Sequence, residues 1–267
     1  IALNPRSNGL PDELTSWQER DVRVSAVFHG SDIRSPSRHM DRLEYSYFRE
    51  CDDGWVRDAE RAGSLRRCAA LEMGIPLFYS TPDLGLDMPT ATWLPLVIEA
   101  SPWSGGAAPF DSSRIRVLHL PSRRDPPIKG TRHIDPVLRR MHDRGYIDYV
   151  APEFVAHSEM PGLIKSVDVV VEQVMSGSYG VAAVEGMAAG RLVIGYVGEE
   201  VRALMPVDPP IQDATPQALE GVLGRILDDR AAAAATAAAG FEFVSALHSG
   251  DYSARVISTF VGATKPR

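Results

Sequence analysis

Cysteine, lysine and long apolar runs are all scarce in this sequence. Cys51 and Cys68 are the two cysteines among 267 residues, and neither belongs to a Cys-x-x-Cys or Cys-x-x-His pattern. This excludes a cysteine-based zinc site and the disulfide framework of a small secreted domain, so we expect free thiols and a cytoplasmic location. No apolar stretch approaches the roughly 20 residues that a membrane span needs, and no signal peptide is recognisable, so any contact with a membrane would be peripheral.

Acidic residues outnumber basic ones. The chain carries 35 Asp and Glu against 28 Lys and Arg, a formal net charge of −7. We therefore expect no nucleic acid partner, although a local basic group can still bind a small anion. The basic residues include only three lysines, Lys129, Lys165 and Lys265, which makes each of them more noticeable.

Apolar segments of strand type alternate with segments of helix type, which predicts βαβ units and a parallel sheet. The predicted strands are 22–30, 75–83, 114–122, 146–155, 167–175 and 191–198. The predicted helices are 39–74 with a break near Gly54, 131–145 with Pro136 in its first turn, 160–166, 179–190, 215–249 as one helix or a pair, and 251–263. Residues 88–113 are rich in Pro, Gly and Ser and are predicted to be a linker.

Three predicted loops share the edge where parallel strands end and where ligands bind in such sheets: 121–131, 151–161 and 175–180. In the first loop, "PSRRDPPIKGT", Arg124 and Lys129 lie five residues apart across two prolines and beside a helix N-terminus. A guanidinium, an ammonium and free backbone N–H groups together suit a diphosphate. The alternative is a solvated basic loop, and the Gly-x4-Gly-Lys pattern of a P-loop is missing.

The segment "SGSYGVAAVEGMAAG", residues 176–190, combines two glycines in a turn with one acid on a small, apolar helix. Gly177 and Gly180 permit close backbone approach, and the first amides of the helix attract negative charge. Glu185 follows within that helix, where a carboxylate suits a ribose diol better than a phosphate. The alternative is a surface acid, which the apolar neighbours of Glu185 disfavour.

The order of these motifs resembles a known enzyme family. A strand is followed by Ser-x-Arg and Lys-Gly-Thr, then by an apolar strand, by Tyr-Gly-x-x-Ala-Val-Glu-x-Met-Ala-x-Gly and by Val-Ile. This order resembles the retaining GT-B glycosyltransferases of family GT4 over about residues 114–200. The resemblance implies an α/β fold of two Rossmann-like lobes. It also implies transfer of a sugar, with retention, from a nucleoside diphosphate donor to a hydroxyl of a small-molecule, lipid-linked or glycan acceptor, with no cofactor and no metal.

The resemblance also assigns roles by position. The catalytic residues would be His29, Arg124 and Lys129. The donor-binding residues would be Ser122, Gly177, Ser178, Tyr179, Gly180, Val181 and Glu185, and the acceptor side would hold Gly30, Asp32 and Arg34. The alternative for His29 is a structural role, as a hydrogen-bonded residue at the end of a strand.

One motif departs from the family pattern. Gly177 stands eight residues before Glu185, where the first Glu of the family's Glu-x7-Glu motif belongs. Glu172 and Gln173 lie nearby but at another spacing. The contact that this first acid makes with the donor sugar is therefore open in the present chain.

The resemblance divides the chain into two lobes and a tail. Residues 1–95 would form the acceptor-side lobe, which is shorter than the family's and is expected to be incomplete. Residues 96–250 would form the nucleotide-sugar lobe. Residues 251–267 would hold a terminal helix that crosses back to the first lobe.

Two other functions remain open from the residues themselves. "SGSYG" between a strand and a helix is a relaxed Gly-x-Ser-x-Gly nucleophile elbow, with Ser178 as nucleophile and His248 later in the chain, as in an α/β-hydrolase esterase. That interpretation leaves Arg124, Lys129 and Glu185 without a role. The other alternative is a relative that binds nucleotide sugars without catalysis, because the first motif Glu is missing.

Overall fold

The computed structural model describes residues 16–17, 19–20, 22–120 and 125–262. The strands in these ranges are β1 (Ala26–Phe28), β2 (Leu77–Tyr79), β3 (Thr92–Trp93), β4 (Ile115–Leu118), β5 (Ile147–Val150), β6 (Val169–Val171), β7 (Leu192–Gly195) and β8 (Gln212–Asp213). They form two parallel sheets, one with the order β1-β2-β3 and a larger one with the order β5-β4-β6-β7-β8. The structure confirms the predicted α/β class with parallel strands.

Helices pack around both sheets. The α-helices of the described ranges are α1 (Pro36–Arg42), α2 (Asp53–Glu72), α3 (Leu84–Asp87), α4 (Thr131–Asp143), α5 (Met160–Lys165), α6 (Val181–Ala188), α7 (Glu199–Arg202), α8 (Leu219–Asp228), α9 (Arg230–Leu247) and α10 (Asp251–Val261). Tyr47–Glu50 and His157–Glu159 form 3-10 helices. We call β1–β3 with α1–α3 the first lobe, and the larger sheet with α4–α9 the second lobe. In the described part of the chain, no helix combines the length and the apolar character that crossing a membrane requires.

The larger sheet contains a topological switch point. β5 lies on one side of β4 and β6 on the other. The chain therefore adds strands in one direction from β4 to β5 and in the opposite direction from β6 onward, and the switch point lies between β4 and β6. The three valines of β6 are each at most 3% exposed, as expected for a parallel strand covered on both faces. The carboxyl ends of β4 and β6 therefore flank the crevice where ligands bind in such sheets.

The predicted helix over 39–74 is three separate elements: α1, the first 3-10 helix and α2. The Asp52 side chain accepts a hydrogen bond from the Trp55 amide at 3.0 Å and caps α2. The break therefore precedes Asp53, and Gly54 lies inside the first turn of α2 instead of interrupting a helix.

Pro136 lies deeper in α4 than predicted. The N-cap of α4 is Gly130, which has a φ of +77°. Its carbonyl accepts hydrogen bonds from the amides of His133 and Ile134 at 2.9 and 3.1 Å. Because α4 thus begins at Thr131, Pro136 falls in the second turn.

The predictions for residues 215–249 and for the linker had different outcomes. Residues 215–249 contain the pair α8 and α9, which separate at Asp229, whose side chain accepts from the Ala232 amide at 2.9 Å and caps α9. The predicted linker over 88–113 contains the short strand β3.

Helix α10 packs against the first lobe. The Phe260 ring lies edge-on to that of Phe78 in β2, with centroids 6.3 Å apart. The Ser253 hydroxyl donates to the Pro95 carbonyl at 2.8 Å. These contacts place α10 against the sheet of the first lobe.

Candidate functional site

Lys129 and Glu172 meet at the switch point of the larger sheet. Their backbones are held by two hydrogen bonds, from the Glu172 amide to the Ile194 carbonyl at 2.8 Å and from the Val174 amide to the Lys129 carbonyl at 3.2 Å. Their side chains pair, with Nζ 3.4 Å from Oε1, and are 14% and 3% exposed. Lys129 Nζ also donates to the Leu120 carbonyl at 3.1 Å. A nearly buried lysine is thus fixed at the sheet edge where a ligand is expected.

Helix α6 begins beside this pair. Its N-cap is Gly180, whose N–H donates to Glu172 Oε2 at 3.3 Å. The first amides of a helix have no acceptor within it, and that end carries a partial positive charge. Lys129 and the start of α6 therefore form one positive region around the Glu172 carboxylate. Ser122 and Arg124, the predicted partners of this region, lie outside the described residues.

Glu185 is half-buried on α6 and belongs to the same cluster of charges. Burial raises its pKa, Glu172 raises it further, and His157 and Lys129 oppose the shift. Val181, at the start of the same helix, is 52% exposed. The predicted donor residues Lys129, Val181 and Glu185 thus share one edge of the second lobe, while the role of Glu185 toward a ribose stays a prediction.

Gly177 has a steric reason for being glycine. Its φ is +64°, and a Cβ at this position would lie 2.5 Å from Leu43 Cδ1 of the first lobe. The acid that the family pattern puts here would have to adopt this positive φ and displace the Leu43 side chain. Glu172 is the buried acid beside α6 instead. In the sequence, Glu172 is recognisable as an acid directly after the apolar segment of β6. It was not assigned a role because it does not stand eight residues before Glu185, as the family motif requires.

Ser178 does not have the surroundings of an esterase nucleophile. Its hydroxyl is buried and has no hydrogen-bond partner in the described part of the chain. His248 donates from Nδ1 to the Leu96 carbonyl at 2.8 Å, and its Nε2 accepts from the Tyr179 hydroxyl at 3.1 Å. Because both ring nitrogens are engaged elsewhere, His248 is not a general base for Ser178, and the nucleophile-elbow hypothesis loses its required partner.

The side chain of Tyr179 belongs to the core. It is 3% exposed, it bonds His248, and its ring lies edge-on to Phe243 with centroids 6.0 Å apart. The predicted donor contact therefore does not fit the phenol of Tyr179. This packing was not predictable from local sequence patterns, because Phe243 lies on α9 and His248 just beyond it, far along the chain from Tyr179.

His29, Gly30 and Asp32 form an ordered turn after β1. The His29 amide donates to Asp32 Oδ2 at 2.9 Å, and the Gly30 amide donates to Thr81 Oγ1 at 3.1 Å. His29 Nδ1 lies 2.7 Å from the Ser80 hydroxyl, while the side chain as a whole is exposed. The turn thus orients an exposed imidazole at the carboxyl end of β1.

Arg34 lies in the interior of the first lobe. Its Nε and Nη2 donate to the two carboxylate oxygens of Asp83 at 2.6 and 3.1 Å, and Nη1 donates to the Tyr47 hydroxyl at 3.3 Å. The residue is 5% exposed. This bidentate pair occupies the guanidinium, so the predicted contact of Arg34 with an acceptor does not fit the structure.

No family model and no curated protein matches the sequence. Solved structures do match the fold. Sucrose-phosphate synthase from Thermosynechococcus elongatus is 18% identical, with 92% of this chain and 69% of that chain covered and a TM-score of 0.57. Anabaena HepE in complex with UDP is 12% identical, with 94% and 76% covered and a TM-score of 0.61. WaaG, a glycosyltransferase involved in lipopolysaccharide biosynthesis, is 12% identical, with 98% and 86% covered and a TM-score of 0.54.

The chain has a GT-B fold. The matches extend over both lobes of this chain, including the first lobe, in which the sequence resemblance is weaker. At these identities they establish the architecture and leave the chemistry to the residues of the site.

The cleft between the two lobes of this GT-B fold contains a cavity of about 280 Å³. The first lobe contributes Arg42 to its wall, and the second lobe contributes Gly177, Tyr196, Glu199 and Glu200. Arg42 Nε lies 3.8 Å from Glu200 Oε2 across the cleft. The cavity thus adjoins the turn that leads into α6, and its wall is rich in hydrogen-bonding groups.

His39 lines this cavity and connects the two lobes. Its Nε2 donates to the Ser176 carbonyl at 3.0 Å, and its Nδ1 accepts from the Ser46 hydroxyl at 2.7 Å. Burial and the charge of Arg34 lower its pKa to about 4, so the ring is neutral at neutral pH. His39 was not among the predicted site residues, because nothing in the local sequence pattern marks a histidine that bridges two lobes.

Proposed function

We propose that the protein is a glycosyltransferase that moves a sugar from a nucleoside diphosphate donor to an acceptor hydroxyl, with retention and without a metal ion, as family GT4 members do. The observation that supports this most is the meeting of Lys129, Glu185 and the N-terminus of α6 at the switch point of a GT-B lobe. Each of these three features suits a different part of the donor.

The diphosphate would bind between Lys129 and the start of α6. An ammonium and free helix amides give charge-assisted hydrogen bonds, which are the stronger kind. Arg124 is proposed as a third donor from its position in the sequence. When the bond to the sugar breaks, negative charge grows on the leaving phosphate, and fixed positive groups at that point lower the barrier.

Glu185 would bind the ribose. A carboxylate in an apolar setting is costly unless its oxygens accept hydrogen bonds. The two ribose hydroxyls would supply a pair of donors to Glu185, one to each oxygen. Its distance along α6 from the diphosphate site agrees with a nucleoside that extends away from the helix start.

In the proposed reaction, the acceptor oxygen forms a bond to the anomeric carbon while the bond from that carbon to the β-phosphate oxygen breaks. The departing phosphate oxygen lies on the same face and takes the proton of the acceptor hydroxyl. The products are the glycoside, with its configuration retained, and the nucleoside diphosphate. His29 would orient the donor sugar, and Gly30 and Asp32 would lie on the acceptor side.

The cavity in the cleft is the proposed place of the acceptor. Glu199, Glu200 and Tyr196 can accept or donate hydrogen bonds to hydroxyl groups, and Arg42 adds further donors. Because two of these side chains are acids, the wall favours a neutral, hydroxyl-rich acceptor over an anionic one. Such an acceptor can be a small molecule, a lipid-linked sugar or a glycan.

Calorimetric titration with UDP, GDP, ADP and TDP tests the proposal. UDP comes first, because the HepE structures contain UDP and UDP-glucose. We expect one diphosphate to bind clearly better than its nucleoside, and the corresponding nucleotide sugar to be consumed when an acceptor is present. Failure of all four to bind would contradict the proposal, as would stoichiometric labelling of Ser178 by a fluorophosphonate. Binding without any turnover would favour the non-catalytic relative.

A further inference from the structure

The positive groups that we assign to the donor diphosphate already hold an anion, the side chain of Glu172. Its Oε1 lies 3.4 Å from Lys129 Nζ, and its Oε2 accepts from the Gly180 N–H at 3.3 Å. The carboxylate is 3% exposed, so water does not screen it. An incoming diphosphate needs the same ammonium and the same end of α6.

The other charged and titratable groups near Glu172 do not replace Lys129 as its partner. Glu185 on α6 is a second acid, and the charges of Glu172 and Glu185 disfavour one another. The charge of His157 acts on Glu185 and favours its ionised form. His119, after β4, bonds the Val171 carbonyl and the Thr131 hydroxyl through its two ring nitrogens. Lys129 is thus the one described side chain that forms an ion pair with Glu172.

We propose that Glu172 competes with the donor diphosphate for Lys129 and for the start of α6, and that it takes up a proton when the diphosphate binds. The proposal rests on the function proposed above. The step is a protonation in which the Glu172 carboxylate and one proton from solvent give the carboxylic acid. In that form Glu172 no longer repels the phosphates, and its O–H can donate a hydrogen bond to a phosphate oxygen.

The electrostatics of the unliganded site agree with this step. Burial raises the pKa of Glu172, and the charge of Lys129 and the Gly180 amide oppose the shift. When the phosphates bind Lys129 and the same amides, these groups stabilise the Glu172 carboxylate less. The phosphates also add two negative charges nearby. The pKa of Glu172 therefore rises further in the complex.

Linkage then makes donor binding dependent on pH. A group whose pKa is raised by binding takes up a proton, and affinity falls with rising pH between its free and bound pKa values, by at most about tenfold per pH unit. The suitable ligand is the intact nucleotide sugar, because its diphosphate is esterified at both ends and does not itself titrate near neutral pH. Calorimetry from about pH 6 to about pH 8, in buffers of different ionisation enthalpy, measures both the affinity and the protons taken up.

For the wild type we expect uptake of up to about one proton per site and an affinity that falls as the pH rises. In Glu172→Gln, which keeps the shape of the side chain, we expect tighter binding at the alkaline end, a flat pH profile and no proton uptake. Glu185→Gln is the matched control, since it changes an acid in the same cluster and should weaken binding while the proton uptake remains.

The possible failures are distinguishable. Wild-type binding without proton uptake, at an affinity that does not change with pH, would overturn this inference and leave the proposed function standing. Weaker binding by Glu172→Gln at every pH would also overturn it, because Glu172 would then be a partner of the donor. If no nucleotide sugar binds at any pH, the proposed function and this inference both fall. Should Glu172→Gln fail to fold, the proton uptake of the wild type decides alone.

Discussion

At the scale of single residues, the proposed donor site depends on one nearly buried lysine and the acids around it. Lys129 has its ammonium between the Glu172 carboxylate and the Leu120 carbonyl, so its position is fixed before any ligand arrives. Such fixed charges cost little reorganisation when they bind a phosphate. Both Lys129 and Glu185 were identified from the sequence. Lys129 is a rare lysine in a basic loop before a helix, and Glu185 is an acid among small, apolar neighbours. The opposing role of Glu172 required the distances.

Lys129→Ala should weaken binding of the nucleoside diphosphate by about 1.5–3 kcal/mol, the value of a charge-assisted hydrogen bond. Binding of the bare nucleoside should change little, because it carries no phosphate. Arg124→Ala is predicted to act in the same way. Calorimetric titration of each variant with both ligands checks this.

Lys165→Ala is a matched control for this prediction. Lys165 also donates from Nζ to backbone carbonyls, of Pro102 at 3.0 Å and of Ser104 at 3.5 Å, but on a different part of the second lobe. It should bind diphosphate as the wild type does. Equal losses for nucleoside and diphosphate in Lys129→Ala would contradict the assignment of Lys129 to the phosphates.

Glu185→Gln should lower nucleotide affinity by about 1–3 kcal/mol, because it removes the charge of a hydrogen-bond acceptor. The melting temperature should stay close to that of the wild type, since the amide keeps the shape of the side chain and Glu185 is only half-buried. A 2′,3′-dideoxy nucleotide should bind the wild type weakly and lose little more in the variant, because both changes remove one contact. Simple addition of the two losses would show that Glu185 does not contact the ribose.

At the scale of elements, the turn from β6 to α6 determines the shape of the site. The turn has a positive φ at Gly177, and the Leu43 side chain of the first lobe occupies the place that a Cβ would take there. The nearby acid, Glu172, lies at the end of β6, five residues earlier in the sequence. The same turn forms part of the wall of the cavity in the cleft.

Gly177→Ala should reduce the free energy of unfolding by more than the strain of a positive φ alone. Gly190→Ala is the matched control, because Gly190 has a φ of +67° and no atom within 4 Å of an added Cβ. The clash with Leu43 should add about 1–3 kcal/mol at position 177, the usual cost of overpacking. Urea denaturation of both variants measures the difference. Equal losses would mean that Leu43 moves aside and that packing does not exclude an acid there.

The elements of the second lobe were the more predictable ones. The valines of β6 and the small residues of α6 make a long, strongly patterned segment that is followed by the apolar β7, and its strands and helix were predicted in the right order. In the first lobe, strands of two or three residues carry little pattern. The start of α2 was missed because it depends on one capping bond, from the Trp55 amide to Asp52, and the assignment of Arg34 failed because its partner Asp83 lies 49 residues away.

At the scale of the whole molecule, the buried His39 and His248 each connect segments that are distant in the chain. His39 joins α1 to the turn before α6, and His248 joins the end of α9 to Tyr179 and to Leu96. In each ring one nitrogen donates to a carbonyl and the other accepts from a hydroxyl, so both rings are neutral. Burial lowers the pKa of each to about 4.

Stability should therefore fall on acidification. Each histidine binds a proton in the unfolded chain below its ordinary pKa of 6.5, whereas in the folded protein it stays neutral down to about 4. Between these values the unfolded state holds more protons, so each ring should cost about 1.4 kcal/mol of stability per pH unit as the pH falls. Urea denaturation at several pH values in this window checks the slope.

His39→Gln and His248→Gln should each show a shallower loss of stability with falling pH, whatever their stability at neutral pH. If neither buried histidine changes the slope, the two rings are not held neutral in the folded protein.

We propose that a nucleoside diphosphate binds at the switch point of the second lobe, between Lys129 and the start of α6. A crystal structure of the protein with the diphosphate that has the highest affinity would show whether it does. We predict phosphate oxygens within hydrogen-bond distance of Lys129 Nζ and of the first amides of α6, with the ribose hydroxyls hydrogen-bonded to Glu185. A diphosphate bound elsewhere, with Lys129 still paired only to Glu172 and Leu120, would contradict it.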